Sequence, residues 1–442
     1  MQAEPKKSLV GVEYEVEIGP VAHGGHCIAR TDTGQVLFVR HALPGERVVA
    51  RVTEGEEGAR FLRADAVEVL DASKDRIEAP CPFAGPGRCG GCDWQHAKPG
   101  AQRRLKGEVV AEQLKRLAGL TPEEVGWDGT VMPAEGDKVP AGEVPQWRTR
   151  VQYAVTPDGR AGLRRHRSHE VEPIDRCLIA AEGVSELGVE RRDWSGMESV
   201  EAIAATGSQD RQVVLTPRPG ARLPLVELDR PVSVLRVGEK DGGVHRVHGR
   251  PFVRERADDR TYRVGNGGFW QVHPKAAATL VTAVMQGLLP RKGETALDLY
   301  CGVGLFAGAL ADRVGEKGAV LGVESGKRAV EDARHNLAGF DRVRIEQGKV
   351  ESVLPRTGIT EVDLIVLDPP RAGAGKQTVR HLASLGARRI AYVACDPAAL
   401  ARDLAYFREG GYRVRTLRAF DLFPMTHHVE CVAILEPAAK GS

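Results

Sequence analysis

No stretch of this 442-residue chain is apolar for the length of a membrane span, which takes roughly 20 consecutive residues. The N-terminus, Met1 to Lys7, is polar and lacks an apolar signal core, so a cytoplasmic protein is expected. A strong charge bias is missing too. Lysine and arginine number 62 against 60 acids, a formal net charge of +2, so bulk charge by itself demands no nucleic-acid or membrane partner. Cysteine is too thinly spread for a disulfide framework, with eight in a chain long enough for roughly two or three domains. In a reducing compartment such usage favours metal binding or catalysis.

What is present is uneven. Arg148, Arg150, Arg160, Arg164, Arg165 and Arg167 crowd one stretch against a single acid, Asp158. A solvated face is the ordinary account of such a run; a phosphate backbone is the sharper one. Cys81, Cys89 and Cys92 share a loop rich in glycine and proline, 81–92. The Cys-x-x-Cys pair lets two sulfurs reach one centre, Gly90 and Gly91 permit the tight backbone, and Cys177 is the candidate fourth ligand. Four thiolates suit zinc or an iron–sulfur cluster, and spacing does not choose between them.

The first eighty residues alternate. Val12, Tyr14, Val16 and Ile18 share one face, and Gln35 to Val39, Val48 to Val52 and Phe61 to Leu70 give further strands between turns. Short strands so spaced predict a small OB-like barrel of the kind that binds nucleic acid. Ala101 to Leu120 reads as a helix, and Gly126 to Pro145 as a turn-rich connection. Trp147 to Thr156 and Ala161 to His166 read as a hairpin that carries the arginines, in a β-rich middle that continues through Val200–Leu215, Val232–Val237 and Val244–Val253. No chemistry is assigned to residues 181–260.

From residue 294 the pattern changes to buried strands followed by loops and helices. The segment that starts at Glu294-Thr295-Ala296-Leu297 reads as a strand with Asp298 at its end, running into the glycine loop Tyr300-Cys301-Gly302-Val303-Gly304 and then a helix. A second strand ends about twenty residues on in Glu324, placed to bind a ribose diol. A pyrophosphate would call for a third glycine, where this loop has Leu305-Phe306. S-adenosylmethionine, which has no pyrophosphate, fits better. A third strand ends at Asp368-Pro369-Pro370-Arg371. A fourth ends at Cys395, where Pro397 blocks its continuation and Ala398 onward reads as a helix; Glu430 leads into the last strand, Cys431 to Leu435. Ligands bind outside the carboxyl ends of such strands, so Cys395 is a candidate nucleophile. A small buried thiol is the bland alternative.

These segments carry a resemblance. The Leu43-Pro44-Gly45-Glu46 turn and its strands resemble the TRAM domain, a small RNA-binding barrel. The Tyr300–Gly304 loop, Asp368-Pro369-Pro370-Arg371, Cys395-Asp396-Pro397 and Phe423-Pro424…His428-Val429-Glu430 resemble the RNA 5-methyluridine methyltransferase family. With Cys81, Cys89, Cys92 and Cys177 the chain is most similar to the 23S ribosomal-RNA members that carry a 4Fe–4S cluster. The resemblance spans nearly the whole chain. It implies a Rossmann-like, class I S-adenosylmethionine-dependent α/β domain at 261–442, a TRAM barrel at 1–75, and a β-rich iron–sulfur domain at 76–260 whose helix 101–120 packs on the catalytic domain. It further implies Cys395 as nucleophile and Glu430 as base. Gln271, Tyr300, Gly302, Gly304, Glu324 and Asp368 would hold cofactor or base, and Arg148, Arg150, Arg164, Arg165 and Arg167 would meet RNA. A monomer is expected. Two positions depart from the family, which usually has Asn at 396 and at 273 where this chain has Asp396 and His273. An ionised Asp396 would raise the pKa of Cys395.

The chemistry accounts for the residues. Carbon 5 of uracil is too weak a nucleophile for a sulfonium methyl group; a thiolate added at carbon 6 makes an enolate that is strong enough. A base then removes the proton from carbon 5. The target base has to leave its stack to reach the thiol. Three rivals stand: a tRNA uridine as substrate, a non-catalytic RNA-binding protein with a redox-sensing metal loop, and a DNA or small-molecule methyltransferase, which would leave the barrel idle.

Overall fold

In the computed structural model, which describes residues 7–137, 143–239, 241–265 and 267–439, the N-terminal alternation closes a barrel. The first six residues of the polar N-terminus and residues 138–142 of the 126–145 connection lie outside the described residues. Strands β1 (Glu13–Val21), β2 (Cys27–Arg30), β3 (Val36–Arg40), β4 (Arg47–Glu54) and β5 (Leu62–Asp71) pair in the order β1-β2-β3-β5-β4, and β1 closes on β4. Only β3–β5 is parallel. Val16, Ile18, Leu37, Val39, Val48, Ala50, Leu62 and Ala64 point inward and are buried. Closure leaves no strand edge unpaired. The sequence reading missed β2, four residues squeezed between two glycine turns.

The Leu43–Glu46 turn is more than a reversal. The Glu46 side chain is fully buried and accepts two bonds from Arg76, at 2.5 and 2.6 Å. It also accepts the backbone N–H of Leu43 at 2.8 Å and of Ser73 at 3.1 Å. Burial opposes ionisation here, but Arg76 and the two amides hold the carboxyl below the usual range. Glu46 thus ties the β3–β4 turn to the chain leaving β5. Glu46→Ala leaves Arg76 and both amides unanswered and is expected to cost about 3 kcal/mol or more in a urea unfolding titration.

Two compact units divide the chain. The first takes the described residues up to Val110 with Leu163–Glu172 and Phe423–His428, so short segments distant in sequence join the barrel. In it, Met425 receives the amides of Asp93 and Trp94 on its carbonyl at 2.9 and 3.0 Å, and its own N–H donates to Gln102 Oε1 at 2.8 Å. His427 Nδ1 lies 2.7 Å from Asp93 Oδ2. Leu105 and Val109 of helix α1 (Pro99–Gln113) belong to the barrel core.

Two further sheets lie wholly or mostly in the second unit. One has seven strands: β7 (Arg150–Val155), β8 (Ala161–Arg164), β9 (Val171–Pro173), β10 (Met197–Ala204), β11 (Arg211–Pro217), β12 (Ser233–Val237) and β13 (Val244–His248), ordered β13-β12-β11-β10-β7-β8-β9. A short helix α2 (Glu182–Ser185) and a hairpin, β14 (Phe252–Ala257) with β15 (Arg260–Gly265), complete this part.

The other sheet has eight strands. Helix α3 (Ala276–Leu288) precedes β16 (Thr295–Leu299), α4 (Leu305–Val314), β17 (Ala319–Glu324), α5 (Lys327–Asn336), β18 (Val343–Gln347), α6 (Val350–Val353), β19 (Leu364–Leu367), α7 (Lys376–Ser384), β20 (Arg389–Ala394), α8 (Pro397–Glu409), β21 (Tyr412–Asp421) and β22 (Glu430–Pro437). The order is β18-β17-β16-β19-β20-β22-β21-β6, where β6 is Val131–Pro133. The first five strands are mutually parallel, and β22 runs antiparallel to both β20 and β21. β19 and β22 are apolar and buried over nearly their whole length because helices cover both faces of a doubly wound sheet. β6, which lies in the stretch expected to be only a connection, adds a parallel edge strand beside β21.

Candidate active site

Register brings the chemistry together. Leu299 pairs with Val323 and Leu367, and Leu367 with Tyr392, so β16, β17 and β19 end within one residue of one another and β20 runs two residues past them. Tyr300, Glu324, Asp368 and Cys395 therefore leave the sheet along one edge. Ala394 pairs with Cys431 in antiparallel register. The next residue along β20 is Cys395 and the preceding one on β22 is Glu430, so the two emerge side by side. Cys395, Glu430, Asp368, Glu324, Tyr300, Gly302 and Gln271 all line one cleft of about 900 Å³. Gly304 is not in its lining; it takes a left-handed φ of +90° and caps α4.

The loops of the cleft are fixed by acids. Glu324 Oε2 accepts the N–H of Gly302 at 3.1 Å and Oε1 that of Gly326 at 2.6 Å, joining the loops after β16 and β17. Buried Asp298 accepts the N–H of Ala307 at 2.6 Å, and burial raises its pKa well above the carboxylate range. Tyr300 itself holds a positive φ of 61°. Asp403 on α8, which the sequence reading passed over, accepts Tyr392 Oη at 2.6 Å and the N–H of Ala374 at 2.7 Å. It pins the loop after Asp368-Pro369-Pro370-Arg371 from behind. Its only sequence signal is an acid on the buried side of an amphipathic helix.

Electrostatically the cleft holds protons. Burial pushes the Cys395 thiol up to about 12, with Glu430 and Asp368 adding to the rise and Arg371 working against it. Glu430, buried, is raised well above its ordinary value, first by burial and then by Asp368. Burial lifts Asp368 to about 7. Asp396 adds a small upward push on the thiol, the direction expected from sequence, while its Oδ1 accepts the N–H of Ala399 at 2.8 Å and caps α8. His273, the other departure, is not in the cleft lining. It is buried, with Nε2 3.3 Å from Asp137 and its ring stacked on Trp147.

The Asp368 shift has a measurable consequence. Folded Asp368 keeps its proton up to about pH 7, whereas an unfolded Asp releases it near pH ~4. The folded state binds the extra proton in that window, so its contribution to stability is lost as pH rises through it. Asp368→Asn, neutral throughout, is expected to melt with the wild type near pH ~4 and progressively above it toward pH ~7.

The arginine stretch is largely engaged within the protein. Arg150 forms a two-pronged pair with Glu201 at 2.6 and 2.9 Å and donates to the Gly268 carbonyl. Arg165 binds Glu170 at 2.8 Å and Glu172 at 3.2 Å. Arg148 donates to the Arg150 carbonyl, Arg164 meets His169, and Arg167 reaches Glu54 at 3.2 Å. Arg164 and Arg167 are exposed.

Three of the four predicted thiol ligands, Cys81, Cys89 and Cys92, share the first unit. Among the described residues no group of three or more His, Cys, Asp or Glu side chains is arranged to hold a metal ion. Cys81, Cys89 and Cys92 are half-buried on their loop, where Cys89 Sγ accepts the N–H of Gly91 and the N–H of Gly90 donates to the Arg164 carbonyl. Cys177 belongs to the other unit, and burial raises its thiol pKa, favouring the neutral form. Within the first unit the loop offers three thiols, one short of the four that a cluster takes.

A Rossmann-like sheet with polar loops gathered at its carboxyl edge, carried on the same chain as a closed five-stranded barrel, defines a class I S-adenosylmethionine-dependent methyltransferase with an RNA-binding domain. Family comparison agrees: residues 7–67 match the TRAM domain, 272–387 the methyltransferase small domain, and 358–438 the tRNA (uracil-5-)-methyltransferase family. An uncharacterized RNA methyltransferase of Streptomyces coelicolor is 87% identical over 100% of both chains. One of Bifidobacterium longum is 35% identical over 98% of each. The crystal structure of Pyrococcus abyssi tRNA (uracil-54, C5)-methyltransferase in complex with S-adenosyl-L-homocysteine superposes with a TM-score of 0.69 and 26% identity, over 95% of this chain and 100% of that one. The chain belongs to the RNA (uracil-5-)-methyltransferase family. Among the described residues no helix is long and apolar enough to cross a membrane.

Proposed function

We propose that this enzyme methylates carbon 5 of a uridine in 23S rRNA through a covalent bond between Cys395 and carbon 6. One observation carries the reading: Cys395 and Glu430, far apart in sequence, lie at adjoining strand ends in one cleft. Cys395 gives up its thiol proton to solvent, the thiolate adds to carbon 6, and the carbon 5–carbon 6 electron pair moves toward the carbon 4 oxygen. Carbon 5 takes the methyl group, which S-adenosylmethionine supplies from its sulfonium. Glu430 acts in its carboxylate form, which the raised pKa makes the stronger base: it accepts the proton from carbon 5, the carbon 6–sulfur bond breaks, and the thiolate is restored. Gln271, Tyr300, Gly302, Gly304, Glu324 and Asp368 hold cofactor and base in this reading. Of the predicted RNA contacts Arg148, Arg150, Arg164, Arg165 and Arg167, the exposed Arg164 and Arg167 are those best placed to exchange a weak surface partner for phosphate.

The division of labour follows the sequence: RNA barrel at 1–75, β-rich centre at 76–260, transferase at 261–442. The cytoplasm is its site of action, as a monomer. A 4Fe–4S cluster on Cys81, Cys89, Cys92 and Cys177 belongs to the same reading through cysteine spacing and family resemblance alone; iron and sulfide analysis of protein purified without oxygen tests it.

RNA containing 5-fluorouridine is the direct test of the reaction. Fluorine does not leave carbon 5 as a proton, so the methylated adduct stays bonded to the enzyme on a denaturing gel. A shifted band dependent on S-adenosylmethionine and on Cys395 supports the mechanism; its absence with RNA demonstrably bound refutes it. A tRNA uridine is the second reading, favoured by the similarity to the Pyrococcus abyssi tRNA enzyme over nearly the whole chain. Methylation of purified rRNA and tRNA from a deletion strain decides between the two.

A further inference from the structure

The outward face of a small barrel is ordinarily polar, since its inward residues supply the core. Here one outward rung is not. Ile28 on β2 pairs with Phe38 on β3, and Phe38 in turn pairs with Arg63 on β5. Leu37, Val39, Leu62 and Ala64, the neighbours along those strands, face the core, so Phe38 and Arg63 point outward. Two more rings join them. Phe61, just before β5, meets Phe38 edge to face at 5.2 Å, and His26 meets it at 5.6 Å. The Arg63 guanidinium lies 5.5 Å from the centre of the Phe61 ring and 6.0 Å from that of Phe38.

This patch stands open. Phe61 is 42% exposed, and His26 and Phe38 are only partly covered. Its charge is one-sided: Arg63 and Arg167 share a single acid, Glu54, at 3.6 and 3.2 Å. His26 adds an uncharged ring at neutral pH, its pKa lowered to about 4 first by burial and then by Arg63 and Arg40. Exposed aromatic faces beside a net positive charge match one kind of partner well. A nucleobase offers a flat π-face, and its phosphate offers the opposite charge. A paired base hides that face within its stack; an unpaired one presents it.

We propose that His26, Phe38 and Phe61, with Arg63 and Arg167 beside them, form a stacking platform for unpaired nucleobases of the RNA substrate. The proposal rests on the reading of the protein as an RNA methyltransferase and adds where, and in what conformation, the barrel grips the RNA. The main grip comes from rings on the barrel, with the arginine stretch contributing Arg167. Because every base has a π-face, the platform is tolerant of sequence and selective for single strands.

The test is a fluorescence-anisotropy titration of the full-length protein with a short labelled oligouridylate, using wild type, Phe61→Leu and Phe61→Trp after equal melting temperatures have been confirmed. Phe61→Leu keeps the apolar surface and loses the ring. It is expected to bind at least about fivefold more weakly, Phe61→Trp is expected to restore or tighten binding, and duplex RNA of the same length is expected to compete poorly. Leucine binding as tightly as phenylalanine, or duplex competing as well as single strand, overturns the platform; in the first case the patch is left to face a protein. Failure of the two readings is separable in the wild type. Binding of the oligonucleotide without any adduct on 5-fluorouridine RNA refutes the enzymatic mechanism, whereas adduct formation with an indifferent Phe61→Leu refutes the platform.

Discussion

Glu430→Gln is expected to trap the enzyme on its natural substrate. Once carbon 5 carries the methyl group, the only way back to an aromatic uracil is loss of the carbon 5 proton with expulsion of Cys395. Glutamine fills the space of Glu430 and accepts no proton. The variant should therefore add, methylate and stop, so that ordinary uridine-containing RNA gives the stable band that otherwise needs fluorine. Turnover is expected to fall on the order of 10²- to 10⁴-fold, as for loss of a positioned base. A variant that turns over normally, or that never forms a band, removes Glu430 from this role. The site favours the outcome because Glu430 is buried and faces the same cleft as Cys395, where solvent base has poor access.

The second large effect is in the pH dependence. Cys395 rests as a thiol because burial, Glu430 and Asp368 raise its pKa to about 12. Below that value each pH unit changes the thiolate fraction about tenfold. The rate of adduct formation on 5-fluorouridine RNA is therefore expected to climb with pH across the neutral and mildly alkaline range, toward about tenfold per unit. Cys395→Ala should show no adduct at any pH. Arg371 is the charge that counters the rise, so Arg371→Gln should push the thiol higher still and slow the adduct at every pH in that range. A flat profile in the wild type would mean that bound RNA and cofactor have already drawn off the proton, and it would contradict a thiol-limited step.

How much of this was legible beforehand depends on how local the cause is. Barrel strands follow from alternation that any short window displays, so β1, β3, β4 and β5 appear in the sequence within a few residues of their observed limits. β2 does not, because four residues between glycine turns are too few for a period to emerge. The strand ends at Tyr300, Glu324, Asp368 and Cys395 are visible because an apolar run followed by Gly, Pro or an acid breaks at the same place in any fold. Asp403 is invisible. Its value comes from meeting Tyr392 and the Ala374 amide, partners that no spacing rule connects. The arginine stretch is legible only in part: the sequence counts its charges, but Glu201, Glu170 and Glu172, which take up Arg150 and Arg165, enter only when strands pair and turns close.

The sequence by itself determined which chemical groups are available: a thiol at a strand end, acids at neighbouring strand ends, glycines where a cofactor loop must turn, and a family likeness across nearly the whole chain. Those are properties of short windows, and short windows survive without a fold. Only the tertiary structure decided which groups meet. Antiparallel β22 places Glu430 beside Cys395 because Ala394 pairs with Cys431, and a one-residue slip in that register would turn one of the two side chains to the opposite face. Likewise a cysteine reads as a reactive nucleophile in the sequence, yet its proton is held by burial and by two carboxylates that arrive from other strands. Charges interact through space, and space is what the sequence does not contain.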